Sequence, residues 1–203
     1  MESGVSVLAD RGTKASKAAD DAALMARVAA RDGVAFRQLA EAHGIVMRRI
    51  AYRMLNDVTE AEDVAQEAFL RLWQSAPRWR ETGSGVGGWL NRVTTNLCLD
   101  RLRRRRFTSD EAAPDRADDA PAADQMMEND QQRALVVRCI DTLSPRQRAA
   151  IVLTYYEELP NQAAADALEM NIKAFESLLF RARQTMRNAL VAAGVVPAEG
   201  DPA

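Results

Sequence analysis

Between Trp89 and Phe107 the chain reads WLNRVTTNLCLDRLRRRRF, and the side chains there that can do chemistry are rings, an amide and a run of cations. Trp89 and Phe107 offer faces on which a base can stack, and Asn96 offers a donor and an acceptor for a base edge. The run Arg103, Arg104, Arg105 and Arg106 suits phosphate oxygens. One or two cations complement the dipole at a helix C-terminus. Four in a row repel one another unless a polyanion lies alongside, so two readings fit: a solvated helix end before a linker, or a nucleic-acid surface.

A helix must carry these groups. At helical spacing Trp89, Val93, Leu97 and Leu102 fall on or near one stripe, as a buried face requires, while Arg92, Asn96 and Arg103 point elsewhere. Around this helix the composition is 47% hydrophobic but only 5% aromatic, so the core must be built from Ala, Leu and Val. Alternating β-branched runs are hard to find, and the fold class is all-α. The net charge of −2 excludes a chain basic throughout but allows a basic patch balanced by acidic segments.

Other chemistries find little support. Cys98 and Cys139 form no CxxC pair and read as buried, reduced thiols, with no metal spacing and no disulfide framework. His43 is the sole histidine and reads as a satisfied helix-surface residue without a catalytic constellation. Gly83-Ser-Gly85-Val-Gly-Gly88 matches GxGxxG, but a helix, a proline and a polar loop precede it, and Asp100 follows too early for a ribose partner. A flexible loop from Arg80 to Gly88 is the better reading. The residues point to no enzyme, no cofactor and no metal. No apolar run approaches the roughly 18 residues of a spanning helix, and the start lacks a signal-peptide core, so a soluble cytoplasmic protein without membrane insertion is expected.

Along the chain, residues 1–21 read as a disordered tail. Leu24, Val28, Phe36, Leu39, Val46, Ile50 and Met54 mark helices broken near Asp32-Gly33 and ended by Asn56-Asp57. Thr59 and Glu62 have capping-box spacing for a helix to Ser75, with Ala61, Val64, Ala65, Ala68 and Leu72 inward and Asp63, Gln66, Glu67 and Arg71 outward. Residues 108–130 are acidic, Ala- and Pro-rich, and read as a flexible acidic linker between two small helical domains, 22–107 and 131–192. In the second, Ser144-Pro145-Arg146-Gln147 is a clear helix start, with Ile151, Val152 and Tyr155 as that helix's core stripe. A short helix from Asn161 to Leu168, a turn at Glu169-Met170-Asn171 and a helix from Ile172 to about Val191 then give helix-turn-helix spacing. Ala164, Leu168, Ile172, Phe175 and Leu179 form its seam, leaving Lys173, Glu176, Ser177, Phe180, Arg181 and Arg183 on or near the open face. A helical hairpin packed on a core has the same seam; the exposed Arg181, Arg183 and Arg187 favour DNA. Residues 193–203 read as a loose tail with no further domain.

Three blocks in this order resemble a bacterial RNA polymerase sigma factor of the sigma-70 family, extracytoplasmic-function (ECF) type. Asp63-Val-Ala-Gln66-Glu67-Ala-Phe69-Leu-Arg71-Leu-Trp73 is similar to the family's polymerase-binding helix. Gly88-Trp89-Leu90-Asn-Arg92-Val-Thr-Thr-Asn96 is similar to its −10 melting and reading segment. Leu143-Ser-Pro-Arg-Gln147-Arg with Ser177-Leu-Leu-Phe180-Arg181-Ala-Arg183 is similar to its −35 module. The resemblance implies a promoter-specificity subunit that binds core RNA polymerase, through the β′ clamp helices and the β flap, and reads −35 duplex and melted −10 DNA. It implies that Asp63, Gln66, Glu67 and Arg71 meet the polymerase. Trp89, Arg92, Asn96, Arg101, Arg103, Arg104 and Arg105 would hold −10 DNA. Lys173, Glu176, Ser177, Phe180, Arg181 and Arg183 would hold −35 DNA. An anti-sigma factor is the further partner it implies. Glu176, Leu178 and Glu169 depart from the family's usual cation, polar residue and glycine. A stand-alone helix-turn-helix transcriptional regulator is the competing reading, which leaves the Asp63–Trp73 face and the arginine helix unexplained.

Overall fold

The computed structural model describes residues 18–80, 83–109 and 135–197, apart from the side chains of 106–109. Most of the expected tails and acidic linker, and the rings and cations of Phe107 and Arg106, lie outside these residues. All regular structure in the described residues is helical, in two helical domains. By Cα proximity the chain parts into two units at Cys98/Leu99, within a helix.

The first domain is built on α1 (18–29), α2 (Gly33–Leu55), α3 (Val58–Ser75) and the start of α4 (Gly85–Ser109). Helix α1 already runs at residue 18, inside the stretch expected to be a tail, because Asp21, Met25 and Val28 find buried places. Arg31 takes φ 66° between α1 and α2, and Asp32 caps α2 by accepting from the Val34 and Ala35 amides. The Ala35 amide, the Arg27 side chain and the Val34 amide hold the Asp32 carboxyl below the usual carboxylate range. The cap is therefore at full strength above that range and weakens as pH falls through the lowered value.

Helix α2 packs along α3. Leu39, Met47, Ile50 and Met54 of α2, Val64, Ala68 and Leu72 of α3 and Leu90 of α4 are all fully buried, each large side chain worth roughly 1.5–3 kcal/mol. Asn56, in the left-handed region at φ 52°, ends α2. Asp57 then caps α3 by accepting from the Glu60 amide at 2.8 Å, so the expected Thr59–Glu62 box does not form. The aspartate two residues earlier reaches the first free amides before the threonine can.

Helix α4 begins at Gly85, so the second half of the expected glycine loop is its first turn. Gly87 has a packing reason: a Cβ there would sit 3.3 Å from His43 Cε1. His43 is buried and not on a helix surface, with Nε2 2.9 Å from Oδ2 of the equally buried Asp21.

In the second domain, α5 (135–141), α6 (Pro145–Ile151), α7 (Asn161–Ala167) and α8 (Ile172–Ala192) enclose a smaller core. The capping box forms as expected: Ser144 Oγ accepts from the Gln147 amide and Gln147 Oε1 from the Ser144 amide. Helices α6 and α7 both pack on α8, and Ala149, Ala150, Ala164 and Ala182 let them approach closely around Leu153, Leu168, Phe175 and Leu179. Of the expected seam only Ile172 stays half-buried. Tyr155 leaves its expected core stripe: α6 ends in a π turn, Val152–Tyr156, whose wider ring buries Val152 and Leu153 and turns Tyr155 outward, 51% exposed. Glu169 takes φ 54° in the turn between α7 and α8, a left-handed position where glycine is cheaper by about 1 kcal/mol or more.

Candidate nucleic-acid and polymerase interfaces

On α3 the buried stripe Ala61, Val64, Ala65, Ala68, Phe69 and Leu72 leaves a continuous outer face. Asp63, Gln66 and Arg71 are exposed on it and Glu67 is half-buried. Arg71 donates to Glu67 Oε1 at 2.8 Å, an exposed pair that sets rotamers more than it stabilises. Leu70, 53% exposed, lies at i+7 from Asp63 and i+4 from Gln66, which places it at the middle of this polar face. A leucine on the polar side of an amphipathic helix is itself a signal readable in the sequence. Trp73 is held at the end of the helix by Phe36, ring centroids 5.2 Å apart, and by the Arg31 guanidinium, which also donates to the Trp73 carbonyl.

On α4 the core stripe is Val86, Leu90, Thr94, Leu97 and Cys98, with Thr95 buried beside it. The expected stripe through Trp89, Val93 and Leu102 is displaced: these three are half-buried. Two threonines in core positions disguised the true register, and Thr94 satisfies its hydroxyl by donating to Met47 Sδ at 2.9 Å. The displacement puts Trp89 in line with Arg92, Asn96 and Arg103, at i, i+3, i+7 and i+14. Trp89 is steadied by Trp79, centroids 5.8 Å apart and edge to face. Arg92, Asn96, Arg101 and Arg105 are half-buried, Arg103 and Arg104 exposed, and Arg103 pairs with Asp100 at 2.8 Å. A ring, a guanidinium and an amide one turn apart on a half-buried row suit bases held singly, with cations beyond them for the backbone.

On α8 the Asn171 side chain caps the helix by accepting from the Ala174 amide at 2.9 Å. Phe175, Leu178, Leu179 and Ala182 face the core, so Leu178, which departs from the family's polar residue, is a packing residue. Lys173, Glu176, Ser177, Phe180, Arg181 and Arg183 are all exposed. Ser177 Oγ donates to the Lys173 carbonyl, and Arg181 Nε to the Ser177 carbonyl. Such a row, projecting from a helix seated on α7, has the shape that enters a duplex groove.

Both cysteines are buried thiols. Among the described residues no three His, Cys, Asp or Glu side chains gather as a metal site requires, and no helix is long and apolar enough to cross a membrane.

A helical domain with a polar outer helix and a half-buried row of ring, guanidinium and amide, followed along the chain by a helix-turn-helix, has the features of a DNA-binding protein. Residues 39–108 match the family model of Sigma-70 region 2, and residues 133–186 match that of Sigma-70, region 4. The chain is 34% identical over 157 residues to the ECF RNA polymerase sigma factor SigE of Mycolicibacterium smegmatis, covering 75% of this chain and 60% of that one. It is 30% identical over 185 residues to the ECF RNA polymerase sigma factor SigL of Mycobacterium tuberculosis, covering 84% of this chain and 99% of that one. Among solved structures, CnrH in complex with the cytosolic domain of CnrY matches with a TM-score of 0.65 at 25% identity, covering 85% of this chain and 98% of that one. The sigma factor RpoE of Bartonella quintana, in complex with the anti-sigma factor NepR, shares the fold with a TM-score of 0.60 at 24% identity, covering 76% of this chain and 96% of that one. The chain belongs to the ECF sigma factors of the sigma-70 family. It spans 60% of the SigE relative and 56% of the Mycobacterium tuberculosis SigI relative.

Proposed function

We propose that this chain is a promoter-specificity subunit: it binds core RNA polymerase and directs initiation by reading −35 duplex with α8 and melted −10 DNA with α4. The observation that carries the reading is the order of the two matched sigma-70 regions, with the Trp89–Arg92–Asn96 row in the first and the exposed α8 row in the second. Asp63, Gln66, Glu67 and Arg71 meet the β′ clamp helices, and the second domain meets the β flap. Trp89, Arg92 and Asn96 hold unpaired bases, and Arg101, Arg103, Arg104 and Arg105 their phosphates. Lys173, Glu176, Ser177, Phe180, Arg181 and Arg183 take the −35 duplex, where a glutamate accepts from a cytosine amine. Each module alone binds weakly; linkage of the two gives the affinity.

The subunit does no chemistry of its own. Melting is binding energy placed on unpaired bases, in the compartment where polymerase works. An anti-sigma factor that covers the polymerase-binding surfaces is the regulator of this reading. The CnrH chain, which is similar to this one, is in complex with the cytosolic domain of CnrY, which supports a protein partner for this chain. A stand-alone regulator would use α8 alone and leave the matched region 2 without a role.

Co-elution of the purified chain with core RNA polymerase, reduced at least about tenfold in affinity by Asp63→Lys with Glu67→Lys, is the expected result. Asn96→Ala and Trp89→Ala should keep that binding and lose open complexes, read by permanganate footprinting of unpaired thymines. Sequence-specific duplex binding without any affinity for polymerase would replace this reading with the stand-alone regulator.

A further inference from the structure

The π turn that ends α6 turns Tyr155 toward α8, where the Arg183 guanidinium carbon lies over its ring, 5.9 Å from the centroid. The turn is closed by the Glu157 amide donating to the Val152 carbonyl, so the residue between them is fixed by backbone geometry and not left to a flexible side chain. Tyr155 is 51% exposed, so its ring stands largely outside the core of the domain. Arg183 has no carboxylate or carbonyl acceptor among the described residues; its one described partner is the ring face. A guanidinium stacked on a ring keeps its N–H edge free and loses little rotamer freedom on meeting an anion. On the same side of α8 lie Phe180, three residues before Arg183, and Glu176, seven before it, both exposed. The stacked cation therefore flanks the row that faces the groove.

We propose that Tyr155 and Arg183 act as one unit that grips a DNA backbone phosphate beside the bases met by α8, with Arg183 as the contact and Tyr155 as its positioning residue. The unit is contributed by two helices, so it fixes the register of α8 on the duplex as well as its affinity. This inference rests on the reading of α8 as a duplex-binding helix.

The test uses the full chain and a fluorescein-labelled B-form duplex of mixed sequence, with anisotropy followed across a potassium chloride series. Arg183→Gln should lower the slope of log affinity against log salt by about 0.9, the signature of one lost phosphate contact. Tyr155→Leu should weaken binding about three- to fivefold, and Tyr155→Phe, which keeps the ring, should bind as the parent does. In the Arg183→Gln background Tyr155→Leu should have no further effect, because its role runs through Arg183. If Tyr155→Leu costs the same in both backgrounds, the ring is only structural and the proposal is overturned. If Arg181→Gln and Lys173→Gln reduce the salt slope while Arg183→Gln leaves it unchanged, the phosphate grip is overturned and the duplex reading of α8 stands. If the parent chain binds no duplex even at the lowest salt, where weak phosphate contacts are strongest, the duplex reading of α8 falls and the proposal with it.

Discussion

The two domains present their candidate DNA-binding groups in opposite ways. Along α4 the row Trp89, Arg92 and Asn96 is half-buried, steadied by Trp79, and set on a helix whose core face includes two threonines. Along α8 the six candidate residues from Lys173 to Arg183 are all exposed, and the helix beneath them is seated on alanines, Phe175 and Leu179. The difference follows the form of the DNA each would meet. An unpaired base must be enclosed to be held, so its groups are recessed and pre-positioned. A duplex offers its edges inside a groove, so the protein must protrude. Recessed rows need a large surrounding core, and protruding rows need only a rigid helix.

If that contrast is right, the two cores are separable, and the tryptophans make it measurable. Trp73, Trp79 and Trp89 all lie in the first domain. Phe175 is completely buried in the second, and Phe175→Ala should cost about 3–5 kcal/mol there. The expected result is an early loss of helical circular dichroism in urea, while the tryptophan transition stays where it was. A tryptophan transition that moves by a similar amount would break the comparison by showing one cooperative unit.

The reciprocal change is Asp21→Ala. It takes the carboxylate from a buried imidazole at a junction of α1, α2 and the Gly87 turn of α4, and should cost the first domain about 1–3 kcal/mol. The tryptophan transition should shift to lower urea with the second domain unaffected. An unshifted tryptophan transition would mean that the pair adds nothing to the recessed row's foundation.

What was legible in the sequence was local. Ser144 with Gln147, Asn171 before α8, and the seam Ala164, Leu168, Phe175 and Leu179 depend on spacings of a few residues, which fix caps and faces directly. The six open positions of α8 followed from that seam. The register of α4 is hidden in the sequence, because Thr94 and Thr95 occupy core positions that periodicity assigns to apolar residues. Tyr155 leaves its stripe because a π turn breaks the helical period, and His43 is buried through a partner that lies 22 residues away on another helix. In each case a contact between elements, absent from any local pattern, decided the outcome.

The smallest predicted effect bears on why α4 carries those threonines at all. Thr94 uses its hydroxyl on Met47, but Thr95 Oγ1 is completely buried with no hydrogen-bond partner. A buried orphan hydroxyl is unfavourable, so the isosteric Thr95→Val should leave the first domain unchanged or stabilise it by up to about 1 kcal/mol. Open-complex formation by the same variant then sharpens the comparison. Unchanged melting would make Thr95 a packing residue whose polarity is incidental, and α4 would differ from α8 only in burial. A more stable variant with weaker melting would show that stability is forgone beside Asn96 for the sake of the recessed row, a trade that the fully exposed α8 row has no occasion to make.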